Sequence, residues 1–73
     1  MAKLATALGR NIREKRKKKG FSQDVFALAA GIDRSYVGRI ERGEVNITVE
    51  KLYEIATVLH CEPASLLPDK ATL

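Results

Sequence analysis

Residues 20–43 read GFSQDVFALAAGIDRSYVGRIERG, and this stretch decides the fold. It holds two short helical patterns, each opened by a capping residue and closed by a glycine. Ser22 is a typical N-cap, since its hydroxyl can accept a hydrogen bond from a free backbone N–H of the first turn, and Phe21 before it suits a hydrophobic staple. Phe26, Ala27 and Ala30 share an inward face, and Gly31 ends the pattern. After a break of about three residues, Asp33 caps a second pattern whose inward edge is Val37 and Ile40 and which Gly43 ends. The spacing predicts helices over 22–30 and 33–42 joined by a tight turn, the connection of a helix-turn-helix.

The flanking segments are also helical. Leu4, Leu8 and Ile12 recur every four residues and predict a first helix over 3–18, with Gly20 as its stop. Arg16 continues that stripe and Lys15 falls near its centre, so the apolar face ends in two cations, one of which needs a buried partner. Lys15 can pack its stem and leave its amine in water. A fourth helix over 49–60, capped by Thr48, presents Leu52, Ile55, Ala56 and Leu59 on one face. A short fifth opens with Pro63, carries Leu66 and Leu67, and stops at Pro68. The expected architecture is all-α: a five-helix domain over 1–67 and a flexible tail over 68–73.

A chain of 73 residues makes one small domain. At this size roughly 60% of the unfolded surface is buried, so the stability margin is thin. One cysteine permits no internal disulfide, and His60–Cys61 alone cannot build a zinc cluster, so neither metal nor cofactor is expected. Cys61 reads as a small core residue, its free thiol suiting a reducing compartment. No signal peptide or membrane span is evident, and the expectation is a soluble, cytoplasmic protein. The net charge of +4 is unevenly spread: +7 over residues 1–19, zero over 20–43 and −3 over 44–73. The basic end is either a polyanion footprint or a solvated helix end.

On a helical wheel, Arg34, Ser35, Gly38, Arg39 and Arg42 fall on one face of the second core helix, with Val37 and Ile40 opposite and Tyr36 at the boundary. Three guanidinium groups, a hydroxyl and no acid lie on that face, and Gly38 would let the helix axis approach a surface. Arginine offers parallel N–H groups to guanine O6 and N7 in the major groove and also suits phosphate. Exposed arginines on a surface helix are the plainer alternative. No paired carboxylates, nucleophile–base set or phosphate-binding glycine loop occurs, so an enzyme is not expected.

Together, the Ser22-Gln23 start, the alanine and glycine spacing, the Ile40-Glu-Arg-Gly43 run and Asn46-Ile-Thr48 resemble the lambda-repressor-like, or Xre, helix-turn-helix family. The resemblance spans about residues 8–67, and Asp33–Asn46 is similar to the small controller proteins of restriction–modification systems. It implies binding to double-stranded DNA. Ser22 would then touch phosphate, Gln23 phosphate and sometimes a base, Arg34 and Ser35 base edges, and Arg39 a base or phosphate. Tyr36 would stand near phosphate or a thymine methyl, and Arg42 and Asn46 along the backbone. Asn46 has a competing local task in the turn before the fourth helix. Lys17 and Lys18 would supply phosphate attraction only, if they are more than a solvated end. Arg16 and Glu41 match a family salt bridge between the first and third helices, and their inward positions agree.

One helix reads few base pairs, so the expected regulator is a homodimer on a pseudo-palindrome. Its interface candidates are Val49, Tyr53, Leu66 and Leu67, although Leu66 and Leu67 could instead close the monomer core. Val25 and Leu28, at positions commonly polar, are either a subunit contact or scattered surface residues. Repression and activation are not separated by the sequence, and an activator would also touch RNA polymerase. The alternative is a protein-interaction module such as an antitoxin with secondary DNA binding. The short stretch after the fifth helix speaks against it.

Overall fold

In a computed structural model, which describes residues 2–73, four α-helices and two 3-10 turns follow one another: α1 (Ala2–Lys18), α2 (Gln23–Ala30), α3 (Arg34–Glu41), α4 (Val49–Val58), and turns at Pro63–Leu66 and Lys70–Thr72. The described residues contain no strand. The fold is the all-α, five-helix architecture expected, with the Pro63–Leu66 turn as the fifth helix. α3 packs against both α1 and α2, α4 against α2, and the Pro63–Leu66 turn closes the end between α1 and α4.

The helix starts follow the sequence closely. Ser22 Oγ accepts from Val25 N (3.1 Å) and Thr48 Oγ1 from Lys51 N (3.0 Å), each satisfying a first-turn donor that has no partner within the helix. Asp33 occupies the N-cap position of α3, but its side chain makes no capping bond.

The helix ends share one device. Phe21, Ile32, Glu44 and Cys61 each donate a backbone N–H five residues back, to Arg16, Ala27, Arg39 and Ala56, while the preceding residue bonds three back. This is the Schellman closure, and it requires a left-handed residue at its centre. Gly20, Gly31 and Gly43 supply three of these; the fourth is His60, at φ 54°. The expected helix over 49–60 therefore ends two residues early, at Val58, with Leu59 as its cap. Nothing in a histidine announces this stop, because only glycine enters that conformation without a steric penalty. α3 likewise ends at Glu41, with Arg42 as its C-cap rather than its last residue.

The core consists of Ile12 from α1, Phe26 and Ala27 from α2, Val37 and Ile40 from α3, Leu52, Ile55, Ala56 and Leu59 from α4 and its cap, and Leu66. Leu66 is fully buried, and its carbonyl accepts from Asn11 Nδ2 of α1 at 2.9 Å. It closes the monomer and is removed from the candidate interface, because a side chain with no exposed surface cannot reach a second subunit. Leu67 points outward, and Leu4 is exposed enough to line a surface groove with Val45 and Ile47 rather than join the core. Cys61 is half-buried against the core. Residues 69–73 are exposed, and Asp69 Oδ1 accepts from Ala71 N (3.0 Å) within the second 3-10 turn.

Close approach of α1 to the end of α3 depends on Gly9. A Cβ there would overlap the Ile40 carbonyl oxygen and stand 2.9 Å from that of Glu41. Gly43 meets α1 as well: its φ is 77°, and a Cβ on it would lie 2.6 Å from Thr6 Cα.

Replacing exposed His60 with glycine relieves the left-handed backbone at the end of α4. His60→Gly is expected to stabilise the domain by about 0.5–1 kcal/mol, read as a rise of a few degrees in Tm by circular dichroism.

Candidate nucleic-acid interface

α2 and α3 meet through Gly31, Ile32 and Asp33, a connection short enough to set the two helices against each other as a unit. What orients α3 on the rest of the domain is charge. Arg16, near the end of α1, donates from Nε to Glu41 Oε2 (2.6 Å) and from Nη2 to Glu41 Oε1 (3.1 Å), and both side chains are buried. Its Nη1 donates to the Phe21 carbonyl (2.7 Å), just beyond the Gly20 stop. The cation that the sequence left at the end of an apolar stripe thus meets the carboxylate expected for it, in the side-on geometry that suits guanidinium.

Gln23 joins this pair. Its Nε2 donates to Glu41 Oε1 at 2.9 Å. A carboxylate only accepts, so the amide orientation is dictated: the NH₂ group points inward, and Oε1 and one N–H remain for a ligand. The resemblance implied a contact of Gln23 with phosphate and sometimes a base. The structure gives it a second task, joining the first turn of α2 to the buried pair.

On the outer face, Ser22, Arg34, Ser35, Arg39, Arg42 and Asn46 are exposed, while Tyr36 is half-buried against the core. Asn46 makes no side-chain hydrogen bond among the described residues, so it does not perform the local task expected of it in the turn before α4, and Thr48 caps α4 as expected. Lys17 and Lys18 are exposed at the end of α1. Lys18 borders a hollow with Asn11, Glu14, Lys15 and Ser65, none of which belongs to α2 or α3.

Two acids reach this face, against the expectation of none. Asp24 Oδ1 lies 3.0 Å from Arg34 Nε, and Glu44 Oε2 lies 2.6 Å from Arg42 Nε. The hydrogen bond from Arg42 holds the Glu44 carboxyl below its ordinary range and raises the Arg42 guanidinium in turn. Both pairs are open to solvent, where such contacts contribute little to stability. Gly38 also differs from its reading. It is buried, with the Arg42 guanidinium 2.9 Å from where its Cβ would be, so the glycine seats Arg42 instead of opening the helix to a surface. The spacing predicts neither pair: Arg42 and Glu44 stand two residues apart across the left-handed Gly43, and Asp24 and Arg34 are ten residues apart in sequence. Asp24 and Arg34 lie on different helices, and only the angle of the turn joins them.

Comparison with known proteins agrees with this geometry. A helix-turn-helix family model matches residues 12–66. The chain belongs to the Xre-like helix-turn-helix family. The crystal structure of the restriction-modification controller protein C.AhdI from Aeromonas hydrophila superposes with a TM-score of 0.82 at 42% identity, covering 92% of this chain and all of that one. The control protein C.SmaI of Serratia marcescens is 35% identical over 60 residues, 82% of this chain and 71% of its own length. The transcriptional regulator SlrR of Bacillus subtilis is 38% identical over 60 residues, 81% of this chain. The chain spans about two fifths of the length of SlrR and other larger relatives. The domain is that of a DNA-binding transcriptional regulator, a family that is not enzymatic. No described helix is long and apolar enough to cross a membrane.

Because the Arg16 and Glu41 charges satisfy each other out of water, removing one strands the other. Arg16→Ala is expected to cost about 3–5 kcal/mol, most of the stability of so small a domain. A thermal melt should show it largely unfolded near room temperature, whereas a Tm lowered by one or two degrees would mean the pair is not buried in solution.

Proposed function

We propose that this chain is a sequence-specific transcriptional regulator that binds a pseudo-palindromic operator as a homodimer, in the manner of a restriction–modification controller or a phage-type repressor. The observation that carries the reading is the outer face of α3. Arg34, Ser35 and Arg39 stand exposed on a helix whose seat in the domain is set by a buried ion pair. A helix entering the major groove presents base-reading groups from its first turns, where Arg34 and Ser35 lie. Ser22 and the free half of Gln23 lie at the start of α2, where that helix would cross the phosphate backbone. The similarity to two control proteins of restriction–modification systems favours a regulator of that kind.

Non-specific contacts from lysine and arginine give dissociation constants of only ~10⁻⁴–10⁻⁶ M at physiological salt, so a single reading helix needs a second half-site. Val49 and Tyr53 of α4 and Leu67 beyond the 3-10 turn are 71%, 58% and 51% exposed, and they form our candidate dimer surface. RNA polymerase becomes a further partner if the regulator activates. The charge pattern and the free Cys61 suit a cytoplasmic protein.

Selection of duplexes from a random library at near-physiological salt tests the reading. The expected result is a two-fold symmetric motif with half-sites about one helical turn apart. Enrichment of no motif would reject specific regulation and redirect attention to a protein partner. On the enriched duplex, Arg34→Ala should cost about 1–3 kcal/mol and relax preference at one base pair. Replacing Lys17 and Lys18 with alanine should weaken all duplexes alike and flatten the salt dependence by about one unit for each phosphate that is no longer neutralised. Titrations against specific and random duplexes at several salt concentrations separate the two roles.

A further inference from the structure

We propose that Asp24 sets the base preference of Arg34, its carboxylate holding the guanidinium from the Nε side so that the Nη pair is presented to guanine. The inference rests on the reading that the chain binds specific DNA. Asp24 Oδ1 lies 3.0 Å from Arg34 Nε, and both side chains are well exposed. Ser22 already caps α2 through Val25 N. Apart from its favourable place as the acid in the first turn of α2, Asp24 has no other partner among the described residues. The Arg34 Nη atoms donate no hydrogen bond among them either.

A carboxylate on a surface meant for phosphate is costly unless it does something else, since it repels every duplex alike. The geometry supplies that other purpose. Guanine O6 and N7 take two parallel N–H groups, which the Nη end of a guanidinium provides without help from Nε. A long arginine side chain loses rotamer freedom on making such a contact. A carboxylate that restrains it beforehand reduces that loss for the correct base and hinders the swing toward a neighbouring phosphate. The arginines of α3 and its cap are not alike in this respect. Glu44 engages both Nε (2.6 Å) and Nη2 (3.4 Å) of Arg42, leaving less of that guanidinium for a base, and Arg39 is in no ion pair among the described residues. Arg34 alone among them is held on one side and open at its end.

The test is Asp24→Asn, which keeps the shape and removes the charge. Affinities are measured for the enriched duplex, for the same duplex altered at the base pair where Arg34→Ala relaxes preference, and for a random duplex. D24N is expected to bind the random duplex several-fold more tightly and to lose about tenfold discrimination at that one base pair. In an Arg34→Ala background the same change should leave discrimination untouched. The Tm should move by no more than a few degrees, since the pair is exposed. If D24N changes affinity for all three duplexes by one common factor, Asp24 is only a bulk charge and the proposal falls, while the regulator reading stands. A wild-type protein that does not discriminate among the three overturns both.

Discussion

The domain turns on the buried pair of Arg16 and Glu41. One charge comes from the end of α1 and the other from the last residue of α3, and Gln23 brings the start of α2 to the same carboxylate. Such a pair loses hydration that its attraction only roughly repays, so its main effect is not net stability. Its effect is selection among packings, because any arrangement that separates the two groups leaves a charge bare in the core. Only one seat of α3 against α1 avoids this, and that seat turns Arg34, Ser35 and Arg39 to solvent. Gly9 makes the seat possible by letting the α1 backbone lie against the carbonyls of Ile40 and Glu41.

The second constraint is length. α2 and α3 have eight residues each, too few to be stable alone, so they form because each is stopped and packed, with a side-chain cap at α2 alone. The same closure ends all four helices and releases the chain in a defined direction each time. Between α2 and α3 that direction makes the turn of the helix-turn-helix. After α3 it places Gly43 against Thr6, so the chain leaving α3 passes close to α1 before entering α4.

Electrostatics on the outer face are more balanced than the net charge of +4 suggests. Two of the three arginines on α3 or its cap are already paired with acids, and Gly38 lies under one of them. A surface prepared in this way attracts polyanions less strongly than a bare row of arginines would. On the proposed function, the same pairs would exchange affinity for all DNA against preference among sequences. The lysines at the end of α1 remain free of ion pairs among the described residues and add a field that no single base feels.

Much of this was legible in the residues. Capping hydroxyls at Ser22 and Thr48, glycine stops at 20, 31 and 43, and apolar positions recurring at helical spacing act locally, over one or two turns, so they can be read in order along the chain. The Arg16–Glu41 pair was legible in part: a charge on an apolar stripe demands a partner, while the choice of Glu41 came from the resemblance, with which its inward position agreed. The stop at His60 was not legible, since a left-handed histidine is uncommon and nothing in the residue type demands one. Nor was the division between Leu66 and Leu67, adjacent leucines whose fates depend on which one α1 and α4 enclose. The link from Gln23 to Glu41 and the ion pair of Asp24 with Arg34 belong to the tertiary structure alone. Each joins groups that no helical period relates, and each exists because the packing angles bring two local surfaces within hydrogen-bonding reach.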